Sequence, residues 1–219
     1  VRGFFKKIFN TRLVQALFAG ISMVIKKSGT VPRGKWYQLL PVPHVIEVSL
    51  NDGVCFNMFN SRHSLEKILF WKGINGYEPH TIKLISDFSL QSIWFLDIGA
   101  NSGLFSMAVM AANPSLKVYA FEPMHKFYRL LKANAYLNGY DLNAWQLAVS
   151  NQNGTAQFFV PPMNQGNIYS ASLKYIHYRG HQLSKPDIVE VSMIKLDDFE
   201  PMSELKGRGI VKIDAEGND

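Results

Sequence analysis

Residues 93–98 (Ile-Trp-Phe-Leu-Asp-Ile) form an almost continuous apolar run that ends in Gly99-Ala100-Asn101-Ser102-Gly103. A strand apolar on both faces has to be covered on both faces, which is the position of a parallel strand in an α/β sheet. A helix follows over 103–112, then a strand over 117–121, a helix over 123–137 and a third strand over 144–149. This β-α-β-α-β succession predicts a doubly wound parallel sheet with right-handed crossovers. Asn153-Gly154 then marks a turn into a strand over 155–160, read as a hairpin rather than another crossover. A strand over 189–196, a short helix over 201–205 and a buried strand over 209–213 complete the series.

The first ninety residues read differently. Apolar positions Phe4, Ile8, Leu13, Leu17, Ile21 and Val24 recur at helical spacing over 3–26. Residues 28–43 read as a linker with Gly29, Pro32, Gly34, Pro41 and Pro43. Two strand-like runs flank Asn51-Asp52-Gly53, a hairpin signal, and helices are expected over 63–70 and 79–87. The expected organisation is a basic amphipathic helix and linker over 1–43, a hairpin with helices over 44–90, and an α/β core over 91–219.

Charge separates the same regions. Residues 1–36 hold eight basic residues (Arg2, Lys6, Lys7, Arg12, Lys26, Lys27, Arg33, Lys35) and no acid. The rest of the chain has 15 basic against 17 acidic residues, so nothing in its charge suggests that the body binds nucleic acid. The longest apolar stretch, residues 13–25, is too short to span a bilayer as a helix. Lys26 and Lys27 stand where a signal peptide would need small residues. A basic amphipathic helix suits peripheral contact with an anionic membrane; the alternative is packing against its own domain. Cys55 is the only cysteine, which fits a reducing, cytoplasmic setting and is read as a small buried apolar residue.

The chemistry concentrates at strand ends. Gly99 lets the backbone turn sharply, and Gly103 allows close packing where the helix begins. The segment lacks the G-x-G-x-x-G of dinucleotide binders, and Asp97 stands two residues before its first glycine. Phosphate loops turn backbone N–H groups to an anion, and an acid there would repel it. S-adenosylmethionine has no phosphate but carries an ammonium and a sulfonium, so Asp97 suits its amino-acid part. Glu122, at the end of the next strand, is placed to accept from both vicinal hydroxyls of a ribose. Its alternative reading is a helix-start glutamate with Pro123 in the first helical position. Asp214 and Glu216 follow the last strand and reach the crevice if that strand neighbours the first.

As a set, DIGANSG at 97–103, AFEP at 120–123, GNIYSASL at 166–173, LDDF at 196–199 and KIDAEGN at 212–218 resemble the FkbM family of methyltransferases. GYEP at 76–79 is a looser match. The resemblance implies a Rossmann-like class I methyltransferase sheet with helices on both faces, here preceded by an N-terminal helix and hairpin. It also implies methyl transfer from S-adenosylmethionine to a hydroxyl oxygen of a sugar, glycan or polyketide-like acceptor. In the family, KIDAEG is followed by three more strands, so the core is expected to be incomplete at Asp219.

By position, the resemblance puts Asp97, Gly99, Ala100, Asn101 and Gly103 along the methionine and ribose side. Glu122, with Pro123, holds the ribose, and Leu147 and Ala148 lie near the adenine. Tyr77 and Glu78 close over the cofactor. Asp214 and Glu216 lie near the reacting centre as candidate catalytic bases, with a purely orienting or cofactor-binding role as the alternative. Segment 161–187, with Asn164, Asn167, Tyr169, Ser172, Tyr175, Tyr178 and Arg179, has groups that suit a sugar acceptor. His177 and His181 are spaced four apart but flank Gly180, and no metal site is expected from them. Competing readings are a nicotinamide-dependent oxidoreductase and a non-catalytic protein that keeps the fold.

Overall fold

In the computed structural model, residues 12–31, 37, 40–51, 53–61, 63–160, 187–203 and 205–215 are described. The chain divides into two compact units, Val1–His80 and Thr81–Asp219.

In the first unit, helix α1 spans Arg12–Lys27, and strands β1 (Val45–Asn51) and β2 (Val54–Phe59) form an antiparallel hairpin. Asn51 pairs with Val54 across the turn, as the Asn-Asp-Gly sequence predicts. Ile46, Val48, Phe56 and Met58 alternate into the core, where Leu65 and Leu69 of α2 (Ser64–Lys72) are also buried. That alternation turns Cys55 outward. It is exposed, not the buried residue expected, because its neighbour Phe56 takes the inward position. Ser22 is buried, and its hydroxyl donates to the Pro41 carbonyl at 2.7 Å, whereas Leu17, Ile21 and Val24 face outward.

Helix α3 (Pro79–Ser89) leads into the second unit. There β3 (Trp94–Ile98), β4 (Lys117–Phe121), β5 (Asn143–Trp145) and β9 (Gly209–Ile213) form a parallel sheet in the order β5-β4-β3-β9. The first strand of this core, β3, is therefore flanked by the second and the fourth, the order at the centre of a doubly wound Rossmann-like fold. The order reverses between β3 and β9, and open α/β sheets bind ligands at that switch point.

Trp94, Leu96 and Ile98 face one side of the sheet, and Phe95 and Asp97 the other. On the first side, Leu96, Ile98 and Phe121 pack with Trp145, Leu147, Leu196, Phe199 and Met202, so the short helix α6 (Glu200–Ser203) covers it. On the other side lie α4 (Leu104–Ala112), buried from Leu104 to Met110, and α5 (His125–Leu137). Helices thus lie on both faces, but on the first side Val211 and Ile213 of β9 stay exposed, so this strand is not the buried one expected. Helix α5 begins at His125 rather than at Pro123, so Pro123 is not in the first helical position.

The third strand is not continuous over 144–149. It breaks at Gln146 and Leu147, because β5 pairs with β4 while β6 (Ala148–Val149) joins a second sheet. In that sheet the order is β6-β8-β7, with β7 spanning Gly154–Val160 and β8 spanning Asp187–Ile194. The Asn153-Gly154 turn therefore does not close a hairpin onto the preceding strand. β8 inserts between β6 and β7, parallel to one and antiparallel to the other. Ala148, Phe158, Val191 and Met193 form the core of this sheet.

Candidate functional site

The loop after β3 is held by three sets of contacts. The N–H groups of Gly99 and Ala100 both donate to the Phe121 carbonyl at 3.0 Å, which ties the loop to the end of β4. The Asp214 N–H donates to the Ile98 carbonyl at 3.0 Å, which ties it to the end of β9. From α5, buried Asn134 donates its side-chain amide to the Ser102 carbonyl at 2.8 Å.

Glycine is required at both ends of this loop. Gly99 has φ +74°, and a Cβ there would lie 2.0 Å from the Asp214 carbonyl oxygen. Gly103 has φ +87°, and its Cβ would meet Leu131 Cδ1 at 2.5 Å. Asn101 also takes a left-handed φ of 51°, a conformation short polar side chains tolerate, and its Oδ1 accepts from the Ser102 N–H at 2.7 Å. Ala100 is buried.

Among the described residues, Glu122 is the one whose ionisation its surroundings shift most. It is 5% exposed, and its two oxygens accept the Met124 N–H and the Asn101 N–H, both at 2.8 Å. Burial pushes its pKa up to about 7, and the nearby Asp97 carboxylate adds to the rise, while the two N–H groups and Lys212 oppose it. Each oxygen keeps a lone pair beyond its N–H bond. Such a carboxylate can still accept a hydrogen bond from each of two hydroxyls, and doing so favours its charged form. Pro123, half-buried, separates it from Met124.

Asp97 stands near the carboxyl end of β3. It is fully buried, its Oδ2 accepts from the Ser106 hydroxyl at 2.7 Å, and its Oδ1 lies 3.1 Å from Lys212 Nζ. Lys212 also donates to the Gly99 carbonyl at 3.2 Å, stands 3.7 Å from Asp214 Oδ2 and lies over the Phe105 ring at 4.9 Å. One cation therefore links Asp97, the glycine loop and Asp214. Sequence reasoning did not single out Lys212, Ser106 or Asn134. A lysine inside the apolar strand Val211-Lys212-Ile213, in a fold that already has a buried Asp, was the available signal.

Asp214 itself is about half exposed, at the carboxyl end of β9 and next to β3 as the crevice reading requires. Glu216 lies outside the described residues, as do His177, His181 and the polar segment from 161 to 186. Leu147 packs beside Phe121, Ile98 and Trp145, whereas Ala148 turns into the core of the second sheet. Tyr77 and Glu78 belong to the first unit, in the turn before α3, where Glu78 takes φ 42°. Among the described residues no His, Cys, Asp and Glu side chains group to hold a metal, and no helix is long and apolar enough to cross a membrane.

Residues 97–219 match the family model of the Methyltransferase FkbM domain. A comparison with curated proteins found no match. Among solved structures, the chain is similar to a SAM-dependent methyltransferase from Agrobacterium tumefaciens, at 12% identity and a TM-score of 0.34, covering 52% of this chain and 42% of that one. It is also similar to a protein-L-isoaspartate O-methyltransferase, at 13% identity and a TM-score of 0.28, covering 57% of this chain and 40% of that one. The chain thus spans about two fifths of the length of these two solved structures.

Proposed function

Because the chain belongs to the FkbM methyltransferase family, we propose that it transfers a methyl group to a hydroxyl oxygen of a sugar, glycan or polyketide-like acceptor. S-adenosylmethionine is the cofactor of this family, and when bound it supplies an electrophilic methyl on a sulfonium. The carrying observation is that Glu122, at the end of β4, and Asp214, at the end of β9, flank the β3 loop on either side at the carboxyl edge of the sheet.

The residues present suit that cofactor. Glu122 offers an acceptor oxygen to each ribose hydroxyl, beside the tight loop of Gly99, Ala100, Asn101 and Gly103, whose two glycines let it pack on Asp214 and Leu131. Asp97 acts behind this surface by holding Lys212 against the loop. Leu147, beside the aromatic cluster of Phe121 and Trp145, suits the flat adenine. Ala148 is taken up by the core of the second sheet, and Glu216 keeps the place that the family resemblance gives it.

Methyl transfer is an in-line displacement, and much of its acceleration comes from holding the acceptor oxygen close to the methyl carbon and opposite the departing sulfur. A neutral hydroxyl gains nucleophilicity as its proton leaves. Asp214, exposed at the end of β9, is the described carboxylate positioned to take that proton.

The test is calorimetric titration of S-adenosylhomocysteine, with NAD as control, followed by labelled methyl transfer to a panel of sugar and hydroxy-acid acceptors. Saturable binding of the homocysteine product and none of NAD supports the cofactor assignment. An Asp214→Asn variant that binds normally but transfers slowly supports the base. Loss of binding in that variant assigns Asp214 to the cofactor instead.

A further inference from the structure

We propose that the outward stripe of α1, formed by Leu17, Ile21 and Val24, docks on the surface of an anionic lipid bilayer. These residues are spaced i, i+4, i+7, so they stand on one side of the helix. They are 65%, 44% and 69% exposed. Ser22 shows that this orientation is built in. Its hydroxyl is bonded to the Pro41 carbonyl, and with half-buried Phe18 and Ile25 it marks the covered side of the helix.

Charge decides the occupant. The stripe lies within residues 1–36, which carry eight basic residues and no acid, and Lys27 closes the helix, while Lys26 is turned over the Phe70 ring. A second copy of the chain would bring one basic segment against another. Nucleic acid would meet the charges but leave the apolar stripe in water. An anionic bilayer satisfies both features, because the stripe enters the headgroup–acyl boundary while Lys and Arg meet the phosphates. At 16 residues α1 is too short to cross, so it lies along the surface.

The experiment is flotation of the full chain with phosphatidylcholine vesicles, with and without phosphatidylserine. The chain should float only with the anionic vesicles, and added salt should weaken its binding. The Leu17→Ser/Ile21→Ser/Val24→Ser variant should lose roughly tenfold or more in partitioning while keeping its thermal unfolding transition, since the residues are already exposed. A Val24→Trp variant should shift its emission to the blue on anionic vesicles. Absence of flotation, equal binding by the triple variant, or emission from Val24→Trp that stays unshifted on anionic vesicles would overturn the proposal. So would a dimer in vesicle-free sedimentation that the triple variant converts to monomer.

Discussion

Lys212 and Asp97 face each other across the parallel pair of β9 and β3, with Nζ 3.1 Å from Oδ1 and the Asp97 side chain fully buried. The ammonium also donates to the Gly99 carbonyl, so this ion pair connects the sheet interior to the glycine loop. A buried charge left without its partner is far more costly than the pair is stabilising. Lys212→Met is therefore expected to lower unfolding free energy by about 3–5 kcal/mol in urea titrations. Asp97→Asn added to Lys212→Met should recover a substantial part of that loss. Equal instability of the single and double variants would contradict the pairing.

Gly99→Ala tests the contact between the loop and β9. The added methyl would collide with the Asp214 main-chain oxygen at a φ of +74°. Gly139 is a matched control, with φ +68° and no other atom within 4 Å of where an added methyl would stand. Gly139→Ala should cost about 1–2 kcal/mol from backbone strain alone. Gly99→Ala should cost clearly more, and should weaken S-adenosylhomocysteine binding as well.

Glu122 gives stability a pH dependence. In the unfolded chain its carboxyl ionises near 4.5, while in the fold burial holds the proton on up to about 7. Between those values the folded state binds more protons than the unfolded one, so this stability is present below pH 4.5 and lost as pH rises through 7. The loss amounts to about 3 kcal/mol. Urea midpoints between pH 4 and 8, given as a difference between wild type and Glu122→Gln, should show it; a pH-independent difference would contradict it.

Cofactor affinity should run the other way. Ribose hydroxyls donating to Glu122 favour its charged form, so S-adenosylhomocysteine should bind more tightly as pH rises toward 7 and level off above it. Calorimetry in buffers of different ionisation enthalpy should show proton release below pH 7. Glu122→Gln should bind weakly with no such dependence.

The sequence by itself determined the local elements. Alternating or continuous apolar runs marked β1, β2, β3, β4 and β9, and helical spacing marked α4 and α5. It also marked the glycine loop and Glu122, because turn chemistry and an acid at a strand end are properties of a few adjacent residues. Tertiary structure decided which strands pair. An apolar run over 144–149 carries no information about its partners, and it is divided between β4 on one side and β8 on the other. The turn at Asn153-Gly154 likewise could not show that β8 would insert between β6 and β7. Lys212 lies far along the chain from Asp97, and only the register of β9 on β3 places its charge beside that carboxylate. On α1, both the Ser22 side and the Leu17 side have residues at helical spacing, and Ser22 bonded to Pro41, with half-buried Phe18 and Ile25, marks which side is covered. Periodicity and turn preference act between neighbours in sequence, whereas strand partners and ion pairs are chosen by what the fold brings together.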